Sequence, residues 1–265
     1  MGQFTKGVIR FFCDLLFPPR CAACDELLPP FLEDGSVFCA DCGEEFDRCC
    51  REAYTHVRLA AQDGHAYLCA YRSGETNGVP ERLVYHLKHK GERRVFRFVA
   101  RRLSSGVRVA LACAVEESPS MGDSDLSSDL PEGQTLSGLP RPLYTYPPRR
   151  RGAVCKDGFD QARRLSRALA QVGEGDFASL LSRRMDGREQ KRLDTAGRLE
   201  NAKATYRLRR GAAKCIKGRV IVLCDDLSTT GATLRAAAEL LREAGARAVV
   251  LATVAQTPEI VTKHK

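Results

Sequence analysis

Apolar positions fall into two kinds of pattern along this chain. Some are runs with little or no polar interruption. Val220-Ile221-Val222-Leu223 is wholly apolar, and Ala246 to Val254 is apolar apart from Arg247 and Thr253; both are partly β-branched, as in strands buried on both faces. Val107 to Val115 reads as a strand on the same grounds, and Leu143-Tyr144-Thr145-Tyr146 and Lys203 to Leu208 as short ones. Other apolar positions recur at helical spacing: Phe4, Val8, Phe11, Phe12, Leu15 and Leu16; Leu83 and Leu87; Val95, Phe98, Val99 and Leu103; Leu165 and Leu169; and Leu234, Ala237, Ala238 and Leu241. Strands alternating with helices predict an α/β fold with a parallel sheet. In such sheets ligands bind beyond the carboxyl ends of the strands.

Two polar stretches interrupt this order. Residues 118–140 are rich in Ser, Asp, Gly and Pro and read as an exposed or disordered insertion within an acidic segment at 116–140. Asp186 to Asn201 is almost wholly polar and reads as a mobile loop.

The stretch Val220 to Thr233, VIVLCDDLSTTGAT, carries the clearest chemistry. An apolar strand leads into Asp225 and Asp226. The small-residue turn Ser228-Thr229-Thr230-Gly231-Ala232-Thr233 follows, and then a helix starts. Free backbone N–H groups at a helix start, hydroxyl donors and a glycine that admits close approach make a phosphate cradle. The acid pair narrows the ligand to a sugar phosphate, since a bare phosphate needs no carboxylates.

Composition adds charge. The chain is +9 over 265 residues, and no Lys or Arg occurs from Val109 to Pro140, where six acids sit; the remainder is therefore +15. A basic body suits polyanions such as phosphates, diphosphates or nucleic acid. No apolar run approaches the roughly 20 residues of a membrane helix. Arg10 and Asp14 interrupt the N-terminal apolar segment, so a signal peptide is not expected and a cytoplasmic location is.

Among the twelve cysteines, Cys21-Ala-Ala-Cys24 and Cys39-Ala-Asp-Cys42 form two C-x-x-C knuckles fourteen residues apart. That pattern predicts a structural zinc site. Cys49 and Cys50 are open as a ligand remnant, a second site or spare thiols, and Cys69 reads as core. Lys88 is a candidate phosphate contact; His86 and His89 are not assigned to metal.

VIVLCDDLSTTGAT resembles the diphosphosugar-binding motif of type I phosphoribosyltransferases. With the four-cysteine module, Leu87-Lys88…Gly91, Gly158-Phe159-Asp160-Gln161-Ala162 and Gln190…Leu193…Arg198…Asn201, the chain resembles the ComF family. The resemblance implies a zinc module at 1–55 and a parallel-sheet type I phosphoribosyltransferase-like domain at 56–265. It implies that Asp225 and Asp226 hold the ribose hydroxyls of phosphoribosyl diphosphate, with Mg²⁺, and that Thr229 to Thr233 wrap the 5-phosphate. Pro147 to Arg151, with Arg149, would be the diphosphate loop, and Gln190 to Asn201 a flap whose Arg198 contacts phosphate. Where the family pattern has Arg, this chain has Asp157, which predicts repulsion at the diphosphate end; Lys156 stands beside it. Two functions stay open: phosphoribosyl transfer to an acceptor that no residue identifies, or binding without catalysis, of the ligand or of single-stranded DNA beside DNA-uptake proteins.

Overall fold

The computed structural model describes residues 18–29, 35–72, 78–116, 141–184 and 205–257. The amphipathic segment at 4–16, the insertion from 117 to 140 and the polar segment with Gln190, Arg198 and Asn201 lie outside the described residues.

In chain order the elements are α1 (Ala40–Gln62), β1 (His65–Ala66), β2 (Cys69–Ala70), α2 (Val79–His89) and α3 (Arg93–Glu116). Then come β3 (Leu143–Thr145), α4 (Arg151–Asp157), α5 (Gln161–Val172), β4 (Asp176–Phe177) and β5 (Leu181–Arg183). The last are β6 (Tyr206–Leu208), α6 (Ala212–Ile216), β7 (Val220–Ser228), α7 (Ala232–Glu243) and β8 (Ala248–Gln256). The main sheet runs β1-β8-β7-β3-β4, with β2 also on β8, and every pairing in it is parallel. This is the expected α/β fold. An antiparallel ribbon of β5 and β6 stands apart from it and was not expected.

The two long strands explain the layers. Successive side chains of a strand face opposite ways. Val222, Cys224, Val250, Ala252 and Val254 join one core with α2, α3 and α5. Ile221, Leu223 and Val249 join a second core with Leu234, Ala237 and Leu241 of α7. Apolar runs without polar alternation are what burial on both faces requires.

Two expectations need correction. Val107 to Val115 is not a strand but the second half of α3. Buried Val95, Val99, Leu103, Val107, Ala110 and Leu111 continue one helical stripe, and only the whole stripe reveals the 3.6-residue period. Nor does β7 end ahead of the acids. Its register with β8 continues through Asp225 opposite Thr253 to Ser228 opposite Gln256.

The N-terminal cysteine region packs directly on this body. Phe38 and Phe46 have ring centroids 5.1 Å apart, and Phe98 of α3 meets Phe38 edge-on at 5.5 Å. Helix α1 runs unbroken from Ala40, through residue 55, to Gln62.

Candidate functional site

The site lies where β7 gives way to α7. Extension of β7 makes Asp225 and Asp226 strand residues, and strand alternation separates their side chains. Asp226 is buried toward α5 and α2: Gln161 Nε2 donates to its Oδ1 at 3.3 Å, and Lys88 Nζ lies 3.4 Å from its Oδ2. Asp225 Oδ1 accepts the Asp226 backbone N–H at 2.8 Å, and its charge acts on Tyr206 of β6. Burial, then the neighbouring Asp226 charge, pushes the Asp225 carboxyl well above the usual range. One ammonium thus serves two carboxyl groups.

Ser228 is buried at the strand end, while Thr229, Thr230 and Thr233 are exposed. Gly231 caps α7 at φ 68°, a left-handed conformation that favours glycine. A Cβ there would stand 2.8 Å from Arg235 Nη1. Arg235 donates to the Thr230 carbonyl, and the Ala232 N–H reaches Thr230 Oγ1 at 3.4 Å. The backbone N–H groups of Thr229, Thr230 and Gly231 find no acceptor among the described residues. This loop presents donors and hydroxyls outward, as an anion site needs.

The basic turn before α4 is built differently. Both oxygens of Asp160 are used: Oδ1 caps α5 by accepting the Arg163 N–H at 3.1 Å, and Oδ2 accepts the Arg149 N–H at 3.0 Å. Asp157 accepts from Arg149 Nη1 at 2.9 Å and pairs with His89 Nδ1 at 3.2 Å. Burial raises its carboxyl pKa, but the His89 and Arg149 contacts outweigh burial and bring it below the usual range. The predicted repulsive charge is therefore taken up inside the protein. Among the expected ligand contacts, Lys88 converges on the acid pair, whereas Arg149 converges on Asp157. Gln161, Asp160 and His89 join the site beyond the residues the sequence points to. An Asp immediately before a helical pattern is a capping signal, so Asp160 was findable; Gln161 and His89 carry no local signal.

Cys21, Cys24, Cys39 and Cys42 come together as one cluster, their sulfurs all within 4.8 Å of one another and those of Cys24 and Cys39 at 3.6 Å. Tetrahedral zinc with Zn–S of about 2.3 Å implies sulfurs about 3.8 Å apart, so the donor set fits a zinc ion. Burial raises the Cys21 thiol, but N–H groups of Cys24, Ala23 and Cys39 bring it down to about 7; burial pushes the Cys42 thiol up. Cys49 and Cys50 are outside this cluster. The neighbouring Cys69 brings the Cys50 thiol below its ordinary value, while the buried Cys69 is itself pushed up and its Sγ reaches the Val254 carbonyl at 3.9 Å.

Residues 154–264 match the phosphoribosyl transferase domain family. The α/β domain is accordingly phosphoribosyltransferase-like. Similar solved structures include TT1426 from Thermus thermophilus, 21% identical, covering 48% of this chain and 78% of its own, with a TM-score of 0.26. The alanine mutant from an analysis of an invariant aspartic acid in HPRTs is 13% identical over 63% of this chain and 77% of its own, TM-score 0.31. A mutant hypoxanthine phosphoribosyltransferase from Trypanosoma cruzi, in a ternary substrates complex, is 14% identical with the same coverage and a TM-score of 0.31. A search of curated proteins finds no match. No helix among the described residues is long and apolar enough to cross a membrane.

Proposed function

We propose that this protein binds phosphoribosyl diphosphate at the end of β7 and transfers the phosphoribosyl group to an acceptor. One observation carries the reading: a strand-borne acid pair followed at once by an outward-facing Thr-Thr-Gly loop at the start of α7. Thr229 to Thr233 would hold the 5-phosphate through free N–H groups and hydroxyls. Asp225 and Asp226 would orient the ribose hydroxyls and stabilise positive charge developing on the sugar. Magnesium fits this acid pair, because Gln161 Oε1 is buried without a hydrogen-bond donor and Asp226 Oδ2 is met only by the Lys88 ion pair at 3.4 Å. Bound there, the ion would neutralise the diphosphate leaving group. The four-cysteine module beside this domain supports a ComF-like arrangement.

A second reading, binding without transfer, is favoured by Lys88, whose ammonium already compensates Asp226. A role in single-stranded DNA handling and DNA uptake rests on the basic charge of the chain and on the resemblance. Calorimetry with phosphoribosyl diphosphate and Mg²⁺ separates these readings. Wild type should bind, and Asp225→Asn/Asp226→Asn should lose at least about a hundredfold in affinity, from two charge-assisted contacts. No binding by wild type would sink the ligand assignment. Binding without diphosphate release across a panel of acceptor bases favours the second reading, and a steep salt dependence of single-stranded DNA affinity favours the DNA role. A metal assay should find one zinc per chain; none would remove the ComF-like arrangement.

A further inference from the structure

The junction of α2 and α3, Lys88 to Arg94, touches three separate parts of the molecule. Lys88 Nζ lies 3.4 Å from Asp226 Oδ2 of β7, and His89 Nδ1 lies 3.2 Å from Asp157 Oδ1 of α4. Between α2 and α3, the Gly91 carbonyl accepts from Arg164 of α5. Gly91, at φ 67°, leaves no room for a side chain, since a Cβ there would fall 2.6 Å from Phe159 Cε1. The third contact points away from the ligand site. Arg94 Nη2 donates to the carbonyl of Arg20, the residue before Cys21 of the four-cysteine cluster.

Side chains join the two ends of this junction. Arg94 Nε donates to Glu92 Oε2 at 2.8 Å, and Glu92 Oε1 pairs with His86 Nε2 at 3.2 Å. His86 is buried and its Nδ1 has no hydrogen-bond partner, so Glu92 sets the orientation of the ring. His86, Lys88 and His89 share the last turn of α2. A shift of that turn therefore moves both cations that meet the carboxylates of the site.

The far end of the path has two states. Around Cys21 the chain closes through the Cys21 N–H on the Glu26 carbonyl at 2.7 Å, the Asp25 N–H on the Cys21 carbonyl at 3.1 Å and the Leu28 N–H on the Pro19 carbonyl at 2.8 Å. Its strand pairing is one isolated bridge, Arg20 with Leu27. Knuckles held by so few bonds order when their thiolates take a metal. The Arg20 carbonyl is then fixed for Arg94 with zinc bound and released without it. A ligand that favours one arrangement favours zinc with it.

We propose that zinc at the four-cysteine cluster and the sugar phosphate at β7 bind cooperatively, with Arg94, Glu92 and His86 as positioning residues that act through Lys88 and His89. The proposal rests on the zinc and β7 readings given above.

The test uses the full chain, zinc-loaded or treated with a zinc-selective chelator that leaves Mg²⁺ in place. Zinc should slow backbone hydrogen exchange over residues 86–96, and Arg94→Met should remove that protection with zinc still bound. In calorimetry, phosphoribosyl diphosphate with Mg²⁺ should bind about tenfold tighter to the zinc-loaded chain, and by reciprocity zinc should bind about tenfold tighter in its presence. Arg94→Met should bring this ratio to about one. So should Arg94→Lys, because an ammonium cannot reproduce the guanidinium fork. Arg102→Met cuts a different contact between α3 and α1, to Asp47, and should leave the ratio intact. If the zinc-free chain unfolds, the zinc-loaded proteins decide: both Arg94 variants should bind about tenfold more weakly than wild type, and Arg102→Met should not. Exchange that ignores zinc, a ratio that survives both Arg94 variants, or an equal loss in Arg102→Met would each overturn the proposal. No binding of phosphoribosyl diphosphate by wild type would overturn the β7 assignment and the cooperativity with it, whereas binding with a ratio of one would overturn the cooperativity alone.

Discussion

The acid pair at the end of β7 and the basic turn at α4 both hold carboxylates and cations, yet they balance charge in opposite ways. At β7, Asp225 and Asp226 share Lys88 as their nearby cation, and Asp225 is left with a raised pKa. At α4, Asp157 alone has two partners, Arg149 and His89, and its pKa is lowered. The first region lacks positive charge and is poised for a cation or for hydroxyl donors. The second has satisfied its acid internally and still presents surplus arginines. A formal charge count by residue does not reveal this; pairing does.

The sharpest way to break this contrast is to remove Lys88. Asp226 is buried, while the Lys88 side chain is 31% exposed. Stripping one partner from a buried pair typically costs 3–5 kcal/mol, and discounting for the exposure of Lys88 leaves about 2 kcal/mol for Lys88→Met. Urea unfolding measures this. Lys88→Met/Asp226→Asn should recover most of the loss, because no lone charge then stays buried. Arg149→Met should cost less, since His89 remains on Asp157. An equal cost for the two single variants would erase the distinction between the regions.

A second measurement sharpens the contrast from the acid side, with a smaller effect of opposite sign. Burial and the Asp226 charge raise the folded pKa of Asp225 above its unfolded value. The folded state therefore keeps this proton longer than the unfolded chain does. The effect on stability is most favourable below the unfolded carboxylate range and is lost as pH rises through the folded pKa. Asp225→Asn should remove that slope and raise Tm at neutral pH, while abolishing phosphoribosyl diphosphate binding. A fall in Tm at pH 7 would mean that the ionised carboxylate is stabilising and that the pair is not short of positive charge.

How much of this was legible beforehand depends on the sequence distance of each contact. The buried strands of β7 and β8, the helix of α7 and the two cysteine knuckles are local patterns, and they emerge in place. Val107 to Val115 misled because three valines in a short window mimic a strand, while the helical stripe that fixes it begins at Val95. The neighbourhood of Lys88 marks it as a phosphate contact, but its partner Asp226 lies far along the chain. Gln161 meets Asp226 across 65 residues and His89 meets Asp157 across 68. No period of 2 or 3.6 encodes such pairs; they exist only once the sheet brings α2, α4, α5 and β7 together.

The smallest expected effect decides what Asp157 does. It stands where the resembling family pattern carries a cation, and on sequence alone it should repel a diphosphate. Its side chain is only 8% exposed, and both oxygens are engaged. Asp157→Asn removes the charge but keeps an oxygen to accept from Arg149. If the pairs absorb the charge, a diphosphate at this turn feels only a water-screened remainder, and affinity for phosphoribosyl diphosphate should rise by only about twofold. If the charge were uncompensated, the gain would be at least tenfold. The pH dependence gives an independent reading. Because the folded pKa of Asp157 is lowered, its charge persists as pH falls through the ordinary carboxylate range, so the small difference between wild type and variant should stay constant from pH 7 to about pH 4. A difference that closes near the ordinary aspartate pKa would show that Arg149 and His89 do not hold the carboxylate, and the basic turn would then be as unbalanced as the acid pair.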